Sequence, residues 1–383
     1  MRLNSIGFAP RLAALYAALF CTVGIQLPFF PLWLKAKGLD AQAIGVVLAL
    51  PMLVRIIAIP AAARVADRGG ALRGAMALTL LAATFGYVAI GLSNGLATIA
   101  VVFALASAAL SPVMPLAETY AFAGLRHRSA YGPVRLWGSA AFIAGTFVAG
   151  YVADALPARD LIWLIAGAVG LSALAAAALQ PVSATHVVEP AKARQRRLLT
   201  DPVFVSVIAG ASLIQASHAV YYGFSTLAWS QAGLNGTAIA ALWALGVAAE
   251  IVLFALSGRL PPVVTPLALI MLGGGAGILR WTAMAFDPPL LLLPLLQLLH
   301  GLTFGATHLG ALGFISRMAP QGRGAMAQGY YAIVSGGVTA AMMGVSGWVF
   351  AGYGASAYFA MALAAIAGCA CGAVAHKAHR TMV

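Results

Sequence analysis

Apolar residues run along this chain in unbroken blocks of roughly 20 to 30 positions, each closed by a turn-forming or charged cluster. Blocks of that length predict helices that cross a bilayer, because about 20 residues at 1.5 Å rise match a hydrocarbon core of about 30 Å. The breaks place spans at 11–34, 41–66, 72–93, 96–124, 130–153 and 160–180, then at 203–230, 237–260, 264–286, 289–317, 324–351 and 355–376. The shortest dividers are Ser93-Asn94-Gly95 and Asp287-Pro288-Pro289. Only the stretch from Pro181 to Asp201 is both long and polar. It divides the chain into a bundle of six spans at 1–181, a linker at 182–202 and a second bundle of six at 203–383. The fold class is therefore an all-α membrane protein of twelve transmembrane helices.

Composition narrows this further. Of 383 residues, 62% are hydrophobic and 8% charged, with a mean hydropathy of +0.95. A soluble domain carries about 25% charged residues, so this chain cannot cover a water-facing surface, and it lacks the alternation of a porin-type barrel. The net charge of +13 would suggest nucleic acid in a soluble protein. Here it reports topology. Seventeen of the 22 lysines and arginines fall on the side that holds both termini, against Lys35, Lys37 and Arg159 on the other. That bias puts both termini in the cytoplasm of a multi-pass cell (inner) membrane protein and calls for an even number of spans. The first apolar block exceeds a signal-peptide core and counts as a span. Cys21, Cys369 and Cys371 lie within apolar blocks and give no disulfide framework or thiolate metal site.

The halves carry a weak repeat. The fifth span opens Gly132-Pro-Val-Arg-Leu-Trp-Gly and continues through Gly145 and Gly150. The eleventh opens Gly322-Arg-Gly-Ala-Met-Ala-Gln-Gly and continues through Gly336, Gly337, Gly344 and Gly347. Each is the fifth of its half and follows a basic loop, as a parallel six-plus-six repeat requires. The glycines are read first as helix-packing positions.

Ionisable groups inside a span need a reason, since each costs about 2.5–3.5 kcal/mol at mid-helix. Arg55, Glu118, Arg135, Glu250 and Arg280 all lie within spans. Glu118 and Arg135 sit at matching depths, roughly 8–10 Å in at 1.5 Å per residue. They can meet as a substrate-gripping pair or as a structural bridge, with Arg135 free to snorkel. Glu250, Arg280 and His300 come from three consecutive spans, where an acid, a fixed cation and an imidazole can together bind and release a proton. The other reading of Glu250 and Arg280 is mutual neutralisation. Gln215, His218 and Tyr222 share one face of the seventh span, as do His300, Thr303 and Thr307 of the tenth and Trp243 and Glu250 of the eighth. Three buried arginines against two acids leave a cationic surplus that favours an anionic substrate. Aromatic pairs such as Tyr16 and Phe20, Tyr221 and Tyr222, and Tyr330 and Tyr331 either line a site for a flat solute or pack.

The loop at 63–73, ARVADRGGALR, is similar to the Gly-x-x-x-Asp-Arg-x-Gly-Arg-Arg loop signature of the major facilitator superfamily, with Ala63 in place of the first glycine. Three further stretches resemble the phenylpropionate permease group within it. They are GIQLPFFPLWLKAKGL at 24–39, YGPVRLWGSAAFI at 131–143 and LTFGATHLGALGFI at 302–315. That group is in turn similar to the lactose and nucleoside proton symporters. The resemblance implies the major facilitator fold of two pseudo-symmetric six-helix bundles, with a conformational latch at Asp67 and Arg68. It implies substrate contacts from Glu118 and Arg135 and proton coupling through Glu250, Arg280 and His300. The glutamate that the lactose pattern carries three residues after its tenth-span histidine is Thr303 here. From the phenylpropionate-like group, Arg55 and His308 join the binding set, beside His218, Tyr222 and Trp243.

The expected function is proton-coupled secondary transport of a small organic solute by alternating access, an aromatic carboxylate such as a phenylpropionate-like acid fitting best. A sugar or nucleoside symporter, a drug exporter and a membrane-embedded enzyme are the alternatives. The driving force is the proton gradient, with no cofactor: no Gly-x-x-x-x-Gly-Lys-Ser/Thr stretch exists. No metal is expected, because His300 and His308 are eight positions apart without a nearby acid in sequence. The expected partners are the solute, protons and the bilayer. The chain is expected to be a monomer that binds no nucleic acid.

Overall fold

The structure, a computed structural model, describes residues 7–69, 72–125, 131–182, 198–261, 263–319 and 324–382. Within these, the side chains of 63–69, 325 and 378–382 are outside the description. Eleven apolar helical stretches among the described residues are long enough to cross a membrane. The last, Met326–Lys377, breaks at Gly354, where φ is +54°, into helices Gly324–Tyr353 and Tyr358–Met382. Twelve helical passes result, and their ends fall within a few residues of the blocks read from hydropathy.

Turn chemistry sets those ends. Gly38, Gly95 and Gly233 take φ of +84°, +76° and +90° between successive spans, a region glycine enters without steric cost. Asp287 takes φ +48° at the Asp287-Pro288-Pro289 break. The seventh span, Pro202–Gln231, starts on a proline, with the Asp201 carboxylate accepting from the Val203 and Phe204 amides at 2.9 and 3.2 Å. The ninth, Pro266–Ala285, starts the same way, with the Thr265 hydroxyl accepting from the Ala268 amide at 3.1 Å. Both satisfy donors that a helix N-terminus otherwise leaves open.

Helix pairing repeats with an offset of six. The first span, Phe8–Ala36, packs on the fifth, Tyr131–Ala155, and the sixth, Ala158–Ala177. The third, Leu72–Leu92, packs on the fourth, Leu96–Gly124, and on the sixth. Correspondingly, the seventh packs on the eleventh and twelfth, and the ninth on the tenth, Leu290–Met318, and the twelfth. In the fifth span, a Cβ on Gly145 would stand 2.6 Å from the carbonyl oxygen of Cys21 in the first, so the packing reading of that glycine is the one the contact supports.

Two compact units form. One comprises Met1–His186 with Thr226–Ala244, and the other Val187–Ser225 with Leu245–Val383. The segment 226–244, which sequence assigns to the second bundle, thus groups with the first unit.

Candidate functional site

Among the described residues, a buried polar cluster lies in the second unit. Arg280 of the ninth span has no solvent exposure. Its Nη1 donates to Thr303 Oγ1 and to His300 Nδ1, both at 3.2 Å, and its Nη2 to Gln297 Oε1 at 2.6 Å. The guanidinium lies 4.7 Å from the Tyr221 ring centroid and 4.6 Å from that of Trp281. His218, also fully buried, places Nδ1 at 3.0 Å from the Gln215 carbonyl and Nε2 at 3.0 Å from Thr303 Oγ1. His300 Nε2 faces Glu250 Oε2 of the eighth span, Gly236–Arg259, at 3.9 Å.

These partners fix the protons. A guanidinium only donates, so His300 Nδ1 accepts and its ring proton sits on Nε2, toward Glu250. A carbonyl only accepts, so His218 Nδ1 donates to Gln215. His218 Nε2 lies against the Thr303 hydroxyl, whose oxygen accepts from Arg280 and whose proton also has the His300 carbonyl in reach at 3.5 Å. The His300 imidazole, accepting at Nδ1, is neutral in this arrangement. A second proton on His300 would fall on Nδ1, against the N–H of Arg280.

Backbone irregularity positions the row. The seventh span is interrupted at Ser217 and His218, between helices Pro202–Ala216 and Ala219–Gln231. The tenth is wound as a π-helix over Gly301–Ala306, bringing Thr303 into the cluster. The Phe304 carbonyl in that segment accepts from Gln215 Nε2 at 3.3 Å. Gly301 allows close approach, since a Cβ there would lie 2.9 Å from the carbonyl carbon and oxygen of Ala249, the neighbour of Glu250.

Aromatic rings wall the cluster. Tyr222 stacks on His218 at 5.4 Å, and Trp281 meets it edge-on at 5.1 Å while donating to Ser217 Oγ at 2.9 Å. Along the tenth span, His300, Phe304 and His308 stack in turn at 5.5 and 5.8 Å. His218, Tyr222, Glu250, Arg280 and His300 are therefore brought together, and His308 joins through Phe304.

The other expected residues lie in the first unit. Arg135 lies over the Phe20 ring at 3.8 Å and 5.6 Å from the Tyr16 centroid. It is within electrostatic reach of Glu118, but the expected ion pair does not close in this structure. The aromatic face of the first span takes the guanidinium, an attraction between cation and ring quadrupole. Arg55 is half-buried in the second span with no polar partner among the described residues. Trp243 Nε1 donates to Thr226 Oγ1 at 3.1 Å within the segment 226–244. The side chains of Asp67 and Arg68 are outside the described residues. Among the described residues, no group of three or more His, Cys, Asp or Glu could hold a metal ion. Sequence reading left out Gln297, Trp281 and Tyr358, whose ring stacks on Trp281 at 5.7 Å. Gln297 is legible after the fact as a polar residue in an apolar block, three positions before His300.

A twelve-pass helical chain built on a sixfold-offset pairing, with a buried cation–imidazole–carboxylate row, has the architecture of a polytopic membrane transporter. The chain matches the MFS_1 like family over residues 10–361 and belongs to it. It is 31% identical over 360 residues to the "Probable 3-phenylpropionic acid transporter" of Escherichia coli (strain K12), covering 93% of this chain and 94% of that protein. It is 28% identical over 336 residues to the "Maltose permease" of Geobacillus stearothermophilus, covering 85% of this chain and 83% of that one. Among solved structures, the nucleoside transporter NupG superposes with a TM-score of 0.81 at 17% identity, covering 97% of this chain and 99% of that chain. The protein is a multi-pass membrane transporter of the major facilitator class, and not an enzyme.

Proposed function

We propose that this protein carries a small aromatic carboxylate across the cell (inner) membrane together with a proton, by alternating access. The observation that carries the proposal is the row Arg280–His300–Glu250, in which a neutral imidazole separates a buried cation from the one acid able to load and release a proton. With Glu250 ionised, the row is balanced. With it protonated, Arg280 is a cation in want of an anion, so proton loading favours binding of a carboxylate. Two buried donors in this cluster, Arg280 Nε and Gln297 Nε2, meet no acceptor among the described residues, as suits an acceptor-rich solute. Arg135 on Phe20 offers a cation beside an aromatic face in the first unit. The name of the relative from Escherichia coli supports the same substrate class.

The test is uptake by proteoliposomes of labelled 3-phenylpropionate, maltose and uridine, each with and without an imposed inward proton gradient. Gradient-driven accumulation of the aromatic acid alone is the expected result. Accumulation of maltose or uridine in its place would transfer the assignment to a sugar or nucleoside symporter of the same fold, a reading the maltose permease likeness favours. Gradient-independent uptake would remove the proton.

A further inference from the structure

The N-terminus of the eighth span is capped from another span. Its own turn supplies one cap, as Asn235 Oδ1 accepts from the Ala238 amide at 2.8 Å. The two preceding amides are taken by Asp154, at the end of the fifth span. Asp154 Oδ1 accepts from Gly236 N, and Oδ2 accepts from Thr237 N at 3.0 Å and from Thr237 Oγ1 at 2.8 Å. The carboxylate thereby meets both the open donors and the positive end of the helix dipole. Behind it the two backbones touch: a Cβ on Gly150 would stand 2.5 Å from the Gly236 carbonyl oxygen and 2.8 Å from the Ala240 Cβ. The eighth-span side of this contact belongs to the segment 226–244 that groups with the first unit, while the rest of the eighth span groups with the second.

We propose that Asp154 is a releasable clamp: it holds the segment 226–244 against the fifth span, and transport requires the clamp to open. The proposal rests on transport by alternating access. Asp154 is exposed, so water replaces its partners when the contact parts, and the clamp sets an equilibrium rather than a permanent join. A buried pair would resist such opening; an exposed carboxylate on amide donors is strong enough to bias the closed arrangement and weak enough to release it. Gly150 and Gly236 bring the backbones close enough for the short aspartate side chain to reach.

The experiment needs no substrate, so it is independent of which solute is carried. In full-length protein with Cys21, Cys369 and Cys371 replaced by serine, Ile239→Cys provides a reporter at a position 1% exposed. The rate of its modification by a membrane-impermeant maleimide in proteoliposomes reads the open fraction. Adding Asp154→Asn, which removes the charge and one acceptor oxygen, should raise that rate about fivefold, the loss of roughly one net hydrogen bond. Thr237→Val, which removes only the hydroxyl donor, should raise it less, and Gly150→Leu, which wedges the backbones apart, should raise it most. An unchanged rate in Asp154→Asn beside a raised rate in Gly150→Leu would reduce Asp154 to a passive cap and overturn the proposal. Unchanged rates in all three would overturn it as well. Were Asp154→Asn to fail to fold, the Thr237→Val rate carries the decision alone. Raised rates in a protein that takes up no aromatic acid would leave the clamp standing and reject the substrate.

Discussion

Arg280 holds three acceptors from a single helix, at Gln297, His300 and Thr303, through one planar fork. Lysine keeps the charge but offers no such fork. Arg280→Lys should therefore strand at least one buried acceptor, at about 1–3 kcal/mol each, and lower proton-driven uptake at least about tenfold with the protein still folded. Uptake near the wild-type rate would take Arg280 out of the centre of the row. Glu250→Gln tests the other end. It fixes the group in its neutral form, so uptake should lose its response to a collapsed gradient while solute exchange across the membrane continues. A mutant that still accumulates solute against its gradient would disprove proton carriage by Glu250. These groups were legible as chemistry because charge inside an apolar block is conspicuous. Thr303 was legible as one of a polar face with His300 and Thr307, and as a departure from the lactose pattern. Its part as the joint between His218 and Arg280 depends on where a π-helical turn puts its hydroxyl, which no residue spacing encodes.

Local winding of the seventh and tenth spans is what turns scattered polar residues into a cluster. Periodicity assumes 3.6 residues per turn, and on that assumption His300, Thr303 and Thr307 share one face. In the structure, Thr307 donates instead to the Thr303 carbonyl at 2.8 Å, while Thr303 reaches across to the seventh and ninth spans. Span ends were read well because glycine, proline and capping residues act locally. The Glu118–Arg135 pairing was not, since depth alone says nothing about a competing aromatic ring such as Phe20. The contact between the eighth and tenth spans can be tested through its glycine. Gly301→Ala puts a methyl 2.9 Å from the Ala249 carbonyl group and should destabilise the protein by about 1–3 kcal/mol. Gly275→Ala, whose Cβ meets nothing within 4 Å, should be neutral or stabilising by up to about 1 kcal/mol. Thermal unfolding of the detergent-solubilised pair checks this, and equal midpoints would mean that the close approach is not required.

At the scale of the whole molecule, the same pairing recurs in both halves while the segment 226–244 groups with the first, so the two units share the seventh and eighth spans. The twelve passes were legible because hydropathy is summed over hundreds of positions and tolerates local error. The grouping of 226–244 was not, because it arises from Asp154 and two facing glycines far apart in sequence. Orientation is the remaining large-scale proposition, and it follows from charge alone. An even number of passes with seventeen basic residues on the side of the termini puts the 156–160 turn outside and the 257–265 turn inside. Leu156→Cys and Gly258→Cys are suitable reporters, since Leu156 is 52% exposed and a Cβ on Gly258 meets nothing within 4 Å. In intact cells, with the three native cysteines replaced, an impermeant maleimide should label Leu156→Cys readily and Gly258→Cys only after the membrane is opened. The reverse pattern would invert the molecule.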